Sequence, residues 1–341
     1  DALSRVTSVT QQDGSLIAYS YDQGSNGQGR LTAIDEKAAD GSVQRRIRYT
    51  YDALGRILTD TRTVAGADYI TSYRYDLGRL AGITYPSGRR IDYSFNSAGQ
   101  VSSVQLTDHG QSKVLAQNIS YRPFGAPAAY TNGAGQALSR GYDSFGQITA
   151  YDLGPQRWQL TYDAASRITN QADANNPTTA ATYNYDALDR LTGAVLPAGT
   201  QGYAYDVAGN RTSQTLPSET RTYSYASNSN RLQSVSGGSP KTYTYDANGS
   251  ITGDGSKQFA YDTRGRLTQA ILTSGTVRYE VNALGQRVRK QGGGGGSGAG
   301  GSNDHLYHYD LAGRLIAESA ADGSNPIDYV WLGDLPLAII Q

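Results

Sequence analysis

Carboxylates and guanidinium groups recur along this chain at one spacing. Asp52 and Arg56, Asp262 and Arg266, and Asp310 and Arg314 each stand four residues apart with a Gly before the Arg. Glycoside hydrolysis would use one carboxylate pair across a scissile bond, whereas here Asp returns in nearly every turn. His305 and His308, close to Asp304 and Asp310, raise the question of a metal, but strand residues three apart face opposite sides. Asp246 to Asp254 loosely matches a calcium loop. Its Gly falls at the fourth place instead of the sixth and no Glu closes it, so two adjacent turns explain it better. His109 beside Asp108 lies in a polar, loop-like stretch and is expected to be solvated. No Ser nucleophile elbow occurs, and the Gly-rich run 292–302 lacks the Lys-Ser/Thr of a phosphate loop. The residue types therefore predict no catalytic site, no metal and no cofactor.

The elements that would carry these side chains are legible from a repeat. Tyr-Asp returns about every twenty residues, most clearly at Tyr51-Asp52-Ala53-Leu54-Gly55-Arg56, Tyr205-Asp206 with Gly209, Tyr245-Asp246 with Gly249, Tyr261-Asp262 with Gly265-Arg266, and Tyr309-Asp310 with Gly313-Arg314. Tyr49 and Tyr51 are two apart and project from one face of a strand. The same Tyr-x-Tyr pair recurs, for example at 183/185, 203/205, 223/225 and 243/245. The Asp ends the strand and its carboxylate can accept backbone N–H groups of the turn. The Gly suits a left-handed position in a hairpin loop built on a type I turn. A second strand follows, with Ile57, Leu31, Leu191 or Leu267 inward. Each unit reads as a β-hairpin, and the motif reads as structural.

The copies that depart from the pattern are informative. Ser166 and Asp189 replace the Gly, and Asn96 and Asn282 replace the Asp. The unit Tyr75-Asp76-Leu77-Gly78-Arg79 is one residue short, and Tyr225-Ala226 has no Asp. Tyr121-Arg122-Pro123-Phe124-Gly125 diverges most and is expected to bend the ribbon or break a strand pair. No apolar pattern of helical period is sustained. From Asn282 to Asp310 the spacing exceeds the usual period, which marks the Gly-rich run 292–302 as an insertion between paired strands.

Composition agrees with a thin wall. Tyr has 27 copies against four Phe and two Trp, so the main bulky aromatic carries a polar tip. Lys plus Arg equals Asp plus Glu at 30 each, which argues against nucleic acid as a partner. Without Cys, disulfides and thiolate zinc sites are excluded. Met is absent too, which points to an excised or processed piece. The longest apolar stretches fall well short of the ~20 residues of a spanning helix, so membrane insertion is not expected.

Tyr-Asp-x-x-Gly-Arg followed by Leu, at this period and over essentially the whole chain, resembles the YD-repeat or Rhs-repeat family. Tyr329-Val330-Trp331-Leu332-Gly333-Asp334-Leu335-Pro336 is similar to the end of the shared core in bacterial Rhs and insecticidal-toxin-complex proteins. The resemblance implies an all-β fold, with repeated hairpins forming a long spiralling ribbon in the wall of a hollow cocoon. It also implies a C-terminal toxin cargo, enclosed by the wall and not in this chain, and a secreted or bacterial cell-surface location. The reading is one repeat region over 1–341, truncated at both ends. It stops before the family's autoproteolytic aspartates, so no catalytic residue is carried over. Alternatives are an adhesin or carbohydrate-binding repeat protein, whose Tyr rings would stack on sugars, and a filament-forming protein. Open strand edges would also allow self-association.

Overall fold

The computed structural model describes residues 1–123, 125–292 and 304–341. Among these residues every regular element is a β-strand, 32 in number, and there is no helix. Strands adjacent in sequence pair antiparallel, as in Leu31–Lys37 with Val43–Tyr51 and Gly199–Tyr205 with Arg211–Thr215. Most run six or seven residues, the length that fits between one Tyr-Asp turn and the turn at the opposite rim. Burial alternates along them, as period-two geometry requires: in Leu31–Lys37, Thr32, Ile34 and Glu36 are buried while their neighbours are half-exposed. Gly292 closes the strand Arg287–Gly292, whose partner is Asp304–Tyr309, so paired strands flank the expected insertion. The rest of that insertion lies outside the described residues, as does Phe124 in the divergent turn.

The chain divides into two compact units. One combines Asp1–Gln117 with Phe259–Gln341, and the other is Asn118–Gln258. In the first unit the two segments pack on each other and bury an aliphatic core. Ile17, Ile34 and Ile47 form one cluster, against which Ala283 of the second segment packs. Val64 joins Val288 and Leu306 in another.

A polar seam runs beside this core. Arg45 bridges Glu36 and Glu280 at 3.1 Å each, and Ala283 N–H donates to Glu36 at 2.8 Å. Arg62, paired with the fully buried Asp60, donates to Gln286 at 2.7 Å. Tyr69, Tyr85 and Tyr93 donate their hydroxyls to the carbonyls of Ala321, Tyr329 and Trp331. Asp328 accepts from Ser87 and Arg89.

The second unit is built differently. Apart from Ile119 at its start, its buried apolar side chains among the described residues are small: Ala150, Ala181, Ala194 and Val235. The rings of Tyr183, Tyr203 and Tyr223 are half-buried on one face. The opposite face carries exposed hydroxyls paired across strands, among them Thr161 with Thr169 and Thr222 with Ser236. A sheet with so little dry core depends on ladder bonds and on contacts between neighbouring hairpins.

Candidate functional site: the links between turns

The Tyr-Asp turns of full length are closed by their own carboxylate, as in the clearest copies. In Asp52–Arg56, Asp52 N–H donates to the Arg56 carbonyl at 2.9 Å and Gly55 N–H to the Asp52 carbonyl at 3.0 Å. Asp52 Oδ1 accepts from the N–H groups of Leu54 and Arg56, and Oδ2 accepts from Arg56 Nε at 2.6 Å. Gly55 has φ +79°, the left-handed region that favours Gly. Asp262 with Arg266 and Asp310 with Arg314 repeat the pattern, around Gly265 and Gly313. Asp206 and Asp246 accept from Asn210 and Ser250, around Gly209 and Gly249. At Asp163 the Arg167 guanidinium and two backbone N–H groups hold the carboxyl below the usual carboxylate range.

The departures from the motif keep the backbone path. Ser166 and Asp189 sit at φ +66° and +61° where Gly stands elsewhere. In the short unit Leu77 and Gly78 both have positive φ, and Asp76 pairs directly with Arg79. That is the two-residue hairpin in which both central residues must be left-handed, so the missing residue changes the turn type and not the register.

The links from one repeat to the next were not visible in the sequence. The Tyr just before each Asp donates its hydroxyl back to a carbonyl of the preceding repeat: Tyr75 to Ile57 at 3.0 Å, Tyr185 to Ile168 at 2.7 Å, Tyr205 to Leu191 at 2.8 Å, Tyr245 to Leu232 at 2.6 Å and Tyr309 to Arg287 at 2.8 Å. Tyr51 does the same to Leu31. The turn Arg reaches the other way and lies over the next repeat's ring. Arg56 stands 4.5 Å from the Tyr75 centroid, Arg167 4.9 Å from Tyr185 and Arg190 4.7 Å from Tyr205. Arg190 and Arg266 also donate to the carbonyls of Asp206 and Asn282 in the next turn.

Gly55 serves this link as well as its own turn, since a Cβ there would fall 1.9 Å from the Arg30 guanidinium. In the last hairpin Trp331 takes the Tyr position, with Nε1 donating to the Leu315 carbonyl at 3.0 Å and the ring under Arg314. Tyr261 ends the strand Gln258–Tyr261 at the head of the Asp262 turn.

The other candidate groups have protein partners or diverge. His305 is exposed and His308 buried, on opposite sides of their strand. Asp254 accepts from Lys241, Ser256 and Lys257, and Asp246 from its own turn. His109 is exposed and contacts Asp108. A cleft of about 240 Å³ in the first unit is lined by Glu36, Arg45, Arg266 and Glu280, with cations and carboxylates mixed. No group of three His, Cys, Asp or Glu residues is disposed for a metal among the described residues.

These links define a β-hairpin repeat protein in which each unit is tied to its neighbours. The sequence matches the Teneurin YD-shell family over residues 105–221 and 215–331, and the RHS repeat over 26–68. The chain belongs to the Teneurin YD-shell family. Among curated proteins it is similar to the tRNA(Glu)-specific nuclease WapA of Bacillus subtilis subsp. natto and to the tRNA nuclease WapA of Bacillus subtilis strain 168. Each is 28% identical over 113 residues, which is 33% of this chain and 4% of the relative. Among solved structures it is similar to the Photorhabdus luminescens Tc holotoxin pore, with TM-score 0.70 and 16% identity over 97% of this chain and 20% of that one. It is also similar to TcdB2-TccC3, with TM-score 0.56 and 16% identity over 96% of this chain and 20% of that one. The chain thus spans a small part of every relative named.

Proposed function

We propose that this chain is a non-catalytic section of the wall of an Rhs-type toxin polypeptide, and that the wall encloses a toxin domain lying outside this sequence. The observation that carries the reading is the two-way link between repeats. Of the groups that could do chemistry, the turn carboxylates are engaged within their own turns, and the Tyr hydroxyls and turn Arg guanidinium groups reach the neighbouring hairpins. Stability spread over neighbours suits a wall that must span a distance without a thick core. The partners are therefore an enclosed polypeptide and adjoining repeats of the same protein, in a secreted or bacterial cell-surface setting. In this reading the nuclease activity named for the curated relatives belongs to parts of those proteins outside the matched stretch.

The test is protease digestion of the native, full-length protein, with peptide mapping by mass spectrometry. The expected result is a C-terminal segment that resists protease while the repeats are intact and becomes cleavable once they are unfolded. A C-terminal segment digested as readily in the native protein as in the denatured one would overturn enclosure. It would favour a surface repeat protein.

A further inference from the structure

Asn-x-Ser/Thr, with no Pro between, is the acceptor signal for transfer of an oligosaccharide to the Asn amide. The chain carries it at Asn118-Ile119-Ser120, Asn210-Arg211-Thr212 and Asn248-Gly249-Ser250, while Asn176-Pro177-Thr178 is excluded by its Pro. Of these Asn residues, Asn248 alone has an acidic residue, Asp246, two places before it. A transferase finds a carboxylate there as well as the amide and the hydroxyl.

Their surroundings separate the three. Asn210 is half-buried, and its Nδ2 donates to Asp206 at 2.9 Å and to Asn230 at 3.1 Å, so the atom that would be glycosylated is already committed. Asn118 is exposed but lies inside the strand Gln111–Tyr121, and Ile119, between it and Ser120, is buried. Drawing that segment into an enzyme would strip a paired strand of its ladder. Asn248 is exposed at the tip of the Asp246–Ser250 turn, and only its backbone N–H is bonded, to Asp246.

That turn is also lightly clamped. Ser250 offers Asp246 a hydroxyl, where Arg56, Arg167, Arg190, Arg266 and Arg314 tie the Asp of their own turns with a guanidinium. Its flanking strands, Thr244–Tyr245 and Ile251–Gly253, pair at two positions, whereas those around Asn210 pair at four. A hairpin with fewer ladder bonds opens locally at lower cost. The segment around Asn248 can therefore leave the sheet for an enzyme that holds its acceptor extended.

We infer that Asn248 is an acceptor site for N-linked glycosylation by a transferase that uses a lipid-pyrophosphate-linked oligosaccharide. Asn248 Nδ2 bonds to the anomeric carbon of the first sugar and gives up a proton to the enzyme. The bond from that carbon to the pyrophosphate oxygen breaks, and the lipid pyrophosphate leaves with the electron pair. The inference goes beyond the wall reading and requires only that the chain meet the enzyme during or after export. The attached glycan projects from the turn, and no side-chain bond of Asn248 is lost.

The test is incubation of the folded, purified chain with an oligosaccharyltransferase and its lipid-linked oligosaccharide, beside an acceptor peptide that reports enzyme activity. Occupancy of the three Asn residues is read by peptide mapping with mass spectrometry. One glycan per chain is expected, at Asn248, with occupancy about tenfold or more above Asn118 and Asn210. Asn248→Gln and Ser250→Ala should abolish it and Ser250→Thr should restore it. Circular dichroism of Asn248→Gln should be unchanged, because the side chain is exposed. A folded chain left unmodified while the peptide is consumed overturns the inference. Equal occupancy at the three Asn residues, or a Ser250→Ala chain still modified at Asn248, does so too.

Discussion

Gly209 occupies φ +87° with no atom near the place a Cβ would take. Gly209→Val there tests backbone conformation alone. A β-branched residue in the left-handed region should cost about 1–2 kcal/mol, seen as a lower urea midpoint, and unchanged stability would contradict the turn geometry. His308 offers a second test. It is buried against Tyr69, with ring centroids 4.7 Å apart, and close to Ser319. Burial, and then the Arg62 charge, lower its pKa to about 4. An unfolded chain takes up this proton near pH 6.5. The contribution is therefore complete above that value and is lost as pH falls toward 4, by about 3 kcal/mol at most. Asp60, held above the usual carboxylate range by burial, works in the opposite direction. His308→Phe should flatten the acid limb of stability measured between pH 7 and 4.5, and an unchanged slope would sink this assignment.

At the scale of the element, the hairpin was legible in the sequence because Tyr-x-Tyr, Asp and Gly each have a local reason to stand where they do. Ser166 and Asp189, which replace the Gly in their copies, take up its left-handed conformation, one that Asp tolerates more readily than Ser. The links were not legible, because the Tyr hydroxyl meets a backbone carbonyl, and carbonyls leave no mark on sequence. Trp331 was read only as part of a terminal signature, although its indole N–H does the work of a Tyr hydroxyl. Tyr205→Phe removes one such bond and strands the Leu191 carbonyl. The expected cost is about 1 kcal/mol, with faster amide exchange confined to the hairpins on either side. Faster exchange throughout the unit would mean that the links are not local.

At the scale of the molecule, the seam of the first unit joins residues more than 200 positions apart, as in Arg45 with Glu280 and Arg62 with Gln286. Such pairings depend on how the chain returns on itself, which a local period cannot encode. Asp60, Arg62, Ser87 and Asp328 consequently drew no attention in the sequence. Asp60→Asn leaves Arg62 buried without its anion and should cost about 3–5 kcal/mol. Proteolysis should then detach the two segments of the first unit from each other while the second unit keeps its protection.

The central claim is that the recurring Arg and Tyr hold neighbouring repeats together instead of serving a ligand. A double-mutant cycle on Arg190 and Tyr205, which stand 4.7 Å apart in adjacent repeats, tests it most directly. Arg190→Ala, Tyr205→Leu and the double variant would be compared by urea unfolding. A coupling of about 0.5–1 kcal/mol is expected. Additive effects within error would contradict the claim and leave the motif without its proposed purpose.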